Sequence, residues 1–347
     1  MKKSMKMILK RFTVTVIAAA FAFPLAACSG KEDSQEAESR YVFHEKFALA
    51  EDREISESNA YFLKDDKLYY VTEGEYDESL DMCNQYVNMC NLSDGTVTEL
   101  FPVTPDDSKP EDGGSVSAWT EAIKAEDNGD ITVIMYSCIY DDRGKDLGET
   151  LKKYTYSSEG KMKDVCDIDI SGPNQDEDYY IVSCRLSRQG EIYVLLDIWG
   201  EEEVERERLC KCNPDGSQAE NFMLDERGIT VKDIILDSND MPIAIYDKDP
   251  EGSGIYTMAA YFDMEKGVPG AGLDGIASGK DDMFRSFSVY SGGSDNTFLI
   301  NDKMSLSEYD NSTGAENVIC NWMDCGLSGS FVLYAVKCGN GNIFCLY

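Results

Sequence analysis

Histidine is nearly missing from this 347-residue chain, which has one, His44. A Ser-His-Asp or Cys-His catalytic unit would have to use that residue. It lies in a short N-terminal strand-like segment where a structural role is the simpler one. The sequence holds no Gly-x-Ser-x-Gly elbow, no Cys-x-x-Cys pair and no phosphate-cradling glycine loop. Basic residues are scarce as well: 32 Lys and Arg stand against 65 Asp and Glu, a formal net charge of −33. So acidic a body repels phosphate backbones and anionic headgroups, which excludes nucleic acid as a partner. The uncharged run from Phe12 to Ala27 falls short of the ~20 residues of a membrane span. These absences lead to the expectation of a body that is not an enzyme and has no cofactor.

What is present begins with that run. Lys2, Lys3, Lys6, Lys10 and Arg11 precede it, and Leu25-Ala26-Ala27-Cys28 closes it. A charged segment followed by an apolar one is the pattern of a secretory signal. The small residues ahead of Cys28 resemble the bacterial lipobox, where a peptidase cuts before a Cys whose thiol has been acylated. The resemblance implies a signal peptide over residues 1–27, expected as a helix, and a lipid on Cys28. Residues 28–56 then form the lipidated Cys, a polar, disordered tether and a possible closing strand. Acyl chains hold the protein to the membrane on the extracytoplasmic side, since two or more on one Cys give stable attachment. Removing the five basic residues of the signal leaves a still more acidic body.

Of 12 Cys, the 11 other than Cys28 are odd in number and mostly sit in apolar runs, such as Cys138, Cys184 and Cys345. They are expected as small buried residues. Cys83/Cys90 and Cys320/Cys325 are the nearest-spaced disulfide candidates.

Two hairpin signatures alternate from residue 57 to 347. In the first, an apolar run, a polar turn and a second run follow each other. Its turns are Lys64–Lys67, Glu126–Gly129, Ser187–Gly190, Asp237–Asp240, Gly292–Asp295 and Gly339–Gly341. In the second, a run ends in an aromatic residue or Cys and a polar turn closes on glycine, at Gly95, Gly160, Gly216, Gly267 and Gly314. Glycine there supplies the positive φ of a tight hairpin. Each repeat holds two hairpins, about four strands, in the length range of a propeller blade with loop insertions. The fold class expected is all-β: a β-propeller of about six four-stranded blades, residues 57–347. A β-sandwich would explain the hairpins but not their alternation. The last hairpin runs into Tyr347 without a successor. Either Tyr41–Leu49 closes that blade, or the chain is the front of a longer protein.

Three further patterns bear on chemistry. Asp167, Asp169 and Ser171, with Gly172 and then Asp178, match the oxygen spacing of a calcium loop apart from its final Glu; a solvated inter-blade loop is the competing reading. Cys210 and Cys212 share a strand face, where packing outweighs metal or redox work. Trp119, Trp199 and Trp322 could stack sugars or peptides, or pack between blades. Paired carboxylates could run glycoside chemistry, but among 65 acids pairings arise by chance.

The lipobox and the loose blade repeats together resemble the β-propeller surface lipoproteins of anaerobic bacteria. The resemblance implies a membrane-anchored binding or scaffold module whose channel or loop face holds a protein, peptide or glycan. Some relatives carry a C-terminal solute-binding domain, which would make this chain the front of an importer lipoprotein. A glycan-active enzyme is the remaining alternative.

Overall fold

The computed structural model describes residues 14–19, 41–47, 54–55, 60–77, 82–106, 114–172, 178–199, 206–224, 229–248, 256–277, 287–291, 297–302, 304–324, 334–337 and 343–346. Every regular element among them is a β-strand. β1 (Val14–Ala19) and β2 (Tyr41–Phe47) come first, then β3 (Glu54–Ile55), β4 (Tyr61–Lys64), β5 (Lys67–Asp77), β6 (Met82–Asn91) and β7 (Val97–Val103). One blade follows from β8 (Ser115–Ala125), β9 (Ile131–Tyr140), β10 (Asp146–Tyr156) and β11 (Met162–Asp167). The next has β12 (Asp178–Leu186), β13 (Ile192–Trp199), β14 (Arg206–Cys212) and β15 (Gln218–Leu224). Then come β16 (Ile229–Leu236), β17 (Pro242–Lys248), β18 (Tyr256–Asp263) and β19 (Val268–Ala277), followed by β20 (Phe287–Ser291), β21 (Thr297–Asp302), β22 (Ser305–Asp310) and β23 (Ala315–Asn321). β24 (Tyr334–Lys337) and β25 (Ile343–Leu346) end the chain's strands.

Neighbouring strands in each sheet are antiparallel, and in four of the sheets, β8–β11, β12–β15, β16–β19 and β20–β23, they are successive in sequence, the meander of a propeller blade. The first strands of successive sheets touch in series, β4 to β8, β12, β16, β20 and β24, so they line the axis. Burial falls outward from there. β9 is buried at eight consecutive positions, whereas β11 is largely exposed and β15 mostly half-buried. The core clusters straddle sheets. Val71, Val87 and Phe101 pack with Val133, Met135 and Tyr154, and Ile134 and Tyr136 pack with Ile181, Val194 and Leu196. Each fully buried aliphatic side chain contributes about 1.5–3 kcal/mol, and no sheet could bury its faces alone.

The turns explain the repeat. The five glycines of the second hairpin all have positive φ, between 68° at Gly314 and 86° at Gly216. In the Lys64–Lys67 turn Asp65 and Asp66 take the two left-handed positions, φ 49° and 56°, of a two-residue hairpin.

Several expectations change. Five sheets have the four strands expected of a blade; a further sheet, β3-β5-β6-β7 with β4 on β5, has five. Val14–Ala19, placed by its sequence in a signal helix, is a strand between β25 and β2. Its β-branched residues suit an interior strand as well as a signal, and among the described residues it is the neighbour of β25 on the side away from β24. Tyr41–Phe47 does join the last sheet, but through β1 rather than directly on β25. His44 lies in that strand. Cys83 and Cys90 are not joined in a disulfide, and Cys90, Cys138, Cys184, Cys210, Cys212 and Cys345 are buried. Cys28, Cys325 and the tether lie outside the described residues.

Candidate functional site

Three successive axis-lining strands carry a bulge at the same point. The register shifts between Thr120 and Ala122 in β8, Ile181 and Ser183 in β12, and Val231 and Asp233 in β16. A bulge bends its strand and re-aims the side chains around it. In β8 the extra residue is Glu121. Its side chain is 8% exposed, accepts a hydrogen bond from Trp119 and feels the Arg185 guanidinium on β12. Burial outweighs both of those favourable partners and pushes the Glu121 carboxyl up to about 7. Arg185 in turn reaches β16, where its Nη2 donates to both carboxylate oxygens of Asp233, at 2.8 and 3.0 Å. Its Nη1 donates to the Cys184 carbonyl at 3.0 Å. Acid, cation and second acid therefore cross three adjacent blades.

The flanks of Glu121 are fixed. Gln85 Nε2 donates to the Ala118 carbonyl at 2.9 Å, and Thr120 Oγ1 donates to Gln85 Oε1 at 2.6 Å. Lys124, buried on the same strand, pairs with Glu126 at 2.8 Å and donates to the Arg188 carbonyl at 2.9 Å. On the far side, Ile234 N donates to Ser183 Oγ. The arrangement offers a buried carboxyl that keeps its proton near neutrality and, on the other side of Arg185, a second acid held by the guanidinium.

None of Glu121, Arg185 and Asp233 was singled out from the sequence. The signal was there in weak form: each is a charge set in a strand-like run, with Lys124 near Glu121 and Lys232 beside Asp233.

The residues that were singled out are arranged otherwise. Asp167 ends β11, and Ile168–Gly172 crosses to the next blade with Ile168 and Ile170 buried. Asp169 Oδ1 accepts from Ser171 N at 3.0 Å and Ser171 Oγ at 2.5 Å, so this carboxylate turns back on its own turn. Asp178 opens β12. Among the described residues no group of three or more His, Cys, Asp or Glu is placed to hold a metal ion. The calcium-loop spacing thus describes a packed crossover. Cys212 Sγ donates to the Asp169 carbonyl and Cys210 Sγ to that of Ile170, at 3.3 and 3.9 Å. Burial raises the two thiols to about 12 and about 11, which leaves them protonated and unreactive. Trp322 is buried with its indole N–H on Asn301. Trp119 joins the charged row, and the side chain of Trp199 lies outside the described residues.

No protein-family model and no curated protein matches the sequence. Several solved structures are similar to the chain at low identity. An α-L-arabinofuranosidase of Fusarium graminearum in complex with an iminosugar inhibitor is 12% identical, with TM-score 0.46 over 79% of this chain and 85% of that one. An α-L-arabinanase of Penicillium chrysogenum complexed with arabinobiose is 11% identical, with TM-score 0.44 over 73% and 76%. A protein of unknown function from Dyadobacter fermentans is 10% identical, with TM-score 0.46 over 91% and 86%. Against the expectation that the body is not an enzyme, two of these similar structures are an α-L-arabinofuranosidase and an α-L-arabinanase. Glu121 and Asp233 stand out from the chain's other acids by the bulge and the guanidinium that place them.

Proposed function

We propose that the protein is a glycan-active hydrolase whose working carboxyls are Glu121 and Asp233. The observation that supports this most is the row across the axis-lining strands: a buried Glu121 bonded to Trp119, and Asp233 held by both its oxygens on Arg185. Glycoside cleavage needs one acid that keeps its proton and one carboxylate beside the sugar ring. In this reading Glu121 gives its proton to the glycosidic oxygen as the bond from the anomeric carbon breaks. Asp233 faces the positive charge that develops there and takes a proton from the water whose hydroxide completes the product. Arg185 positions Asp233, and Trp119 offers an aromatic edge at the acid. The six sheets are read as one closed ring with this row on its axis.

The test is incubation with neutral oligo- and polysaccharides, reading new reducing ends. Release from at least one is expected; none from any arabinan, xylan, glucan or galactan would overturn the reading.

For its location we keep the reading from the sequence: the chain is exported and tethered by lipid on Cys28 to the outer side of the cell membrane, so its glycan partner is met outside the cytoplasm. Cys28→Ser is expected to move the protein from the detergent phase to the aqueous phase on expression in a bacterial host with radiolabelled palmitate, and to abolish the label. Label retained on the Ser variant would sink the assignment.

A further inference from the structure

Away from the axis, a cavity of about 390 Å³ opens at the seam between the β8–β11 and β12–β15 blades. That lies in the range of small-ligand sites, ~300–1,000 Å³. Its polar groups come from both blades: Glu149 on β10, Asp167 and Asp169 at the crossover, Tyr179 on β12 and Arg208 on β14. Leu151, Ile168 and Ile170 supply apolar wall. We propose that this seam is a second glycan site that holds a neutral sugar residue. The proposal rests on the reading of the protein as glycan-active and adds to it a place where the chain is held apart from the acids.

The mixture of charges selects the ligand. A cationic ligand would meet the Arg208 guanidinium, whose side chain is 1% exposed. An anionic one would meet three carboxylates. A polyhydroxyl ligand is favoured by both, because each hydroxyl can donate to a carboxylate and accept from a guanidinium or phenol.

The binding groups are also held in place. Glu149 is hydrogen-bonded by the side chains of Tyr136 and Tyr179 and lies 3.9 Å from the Cys138 thiol that donates to it. Arg208 Nη2 donates to the Ile170 carbonyl at 2.9 Å. Gln218 Nε2 fixes the crossover from its outer side through the Ser171 carbonyl, at 3.0 Å. The Tyr179 ring supplies the aromatic face on which the C–H side of a pyranose or furanose packs. The seam is joined to the axis by an aromatic row: Trp119 meets Tyr136 edge-on at 4.9 Å, and Tyr136 meets Tyr179 at 6.5 Å between ring centres.

The experiment is calorimetric titration of the full chain carrying Glu121→Gln with arabinotriose, xylotriose and cellotriose, and with glucosamine and galacturonic acid as charged comparators. At least one neutral sugar is expected to bind. Adding Tyr179→Ala should weaken one class of binding at least tenfold, and Glu149→Gln and Tyr179→Phe, which keep the packing, by a few fold. Unchanged affinity for every neutral sugar in all three variants would overturn the proposal, as would no neutral binding at millimolar concentration. Tighter binding of glucosamine or galacturonic acid than of any neutral sugar would overturn the neutral class. The two readings separate cleanly. A chain that hydrolyses glycan but binds none at the seam refutes this inference alone. One that binds at the seam but releases no reducing ends refutes the hydrolase alone.

Discussion

Replacing Glu121 by Gln is expected to lower the rate of glycan cleavage by about 10²–10⁴-fold, the usual contribution of a positioned proton donor, with the fold unchanged. The side chain is isosteric, and its amide oxygen still accepts from Trp119, so binding should change little and the loss should fall on kcat. Wild-type activity should decline as pH rises through about 7, where the carboxyl gives up its proton; the residual activity of the variant should lack that limb. Stability supplies an independent check. Burial raises the carboxyl in the folded chain from 4.5 to about 7, so folding retains a proton that the unfolded chain releases. That contribution is fully present below about 4.5 and is lost as pH climbs through about 7. Glu121→Gln removes the dependence, so denaturation midpoints of variant and wild type should diverge between about pH 4.5 and 7 and stay apart above that, in favour of the variant. A variant that still cleaves at wild-type rate, or parallel pH-stability curves, would rule out Glu121 as the buried acid.

How much of this could be read from the sequence depends on the kind of signal. Hairpins announce themselves locally, because a polar turn that closes on glycine demands a left-handed backbone wherever it occurs. All five glycines of the second hairpin adopt it. Alternation of two hairpin kinds then points to blades, since nothing else makes each short sheet bury both faces. Asp240, with φ 62°, shows the limit of that code: it takes the position that Gly129 and Gly190 hold in sister turns. The charged row was hidden for a different reason. Glu121, Arg185 and Asp233 are far apart in sequence and become neighbours only when three inner strands meet around an axis, and a chain with 65 acidic residues gives no reason to prefer one. The visible trace was the bulge: in Ala118-Trp119-Thr120-Glu121-Ala122-Ile123 the alternation slips at the glutamate. The calcium-like spacing at Asp167 left two readings open because spacing carries no information about where carboxylates point. Asp169 spends its oxygen on Ser171.

The largest structural effect is expected at Gly216. Its φ is +86°, and a Cβ built there would lie 2.0 Å from the Asp167 carbonyl oxygen and 3.0 Å from its carbon. The obstacle is backbone of the preceding blade, not a side chain that could swing away, and the Gly216 carbonyl already accepts the Asp169 N–H at 2.9 Å. Gly216→Ala therefore combines a left-handed alanine, at ~1–2 kcal/mol, with a forced separation of turn and crossover that adds ~1–3 kcal/mol of overpacking strain. Gly129 has the same φ of +86° with nothing within 4 Å of its would-be Cβ, so Gly129→Ala isolates the conformational part. We expect Gly216→Ala to lose roughly 2–5 kcal/mol by denaturant titration and Gly129→Ala no more than about half as much. Equal losses would mean that the turn does not bear on the crossover. The displaced segment, Asp167 to Gly172, is also one wall of the seam cavity. A Gly216→Ala chain that remains folded at low temperature should therefore bind neutral sugars at the seam more weakly while its Glu121 acid limb stays at about pH 7, since blade docking shapes one site and the axis strands shape the other.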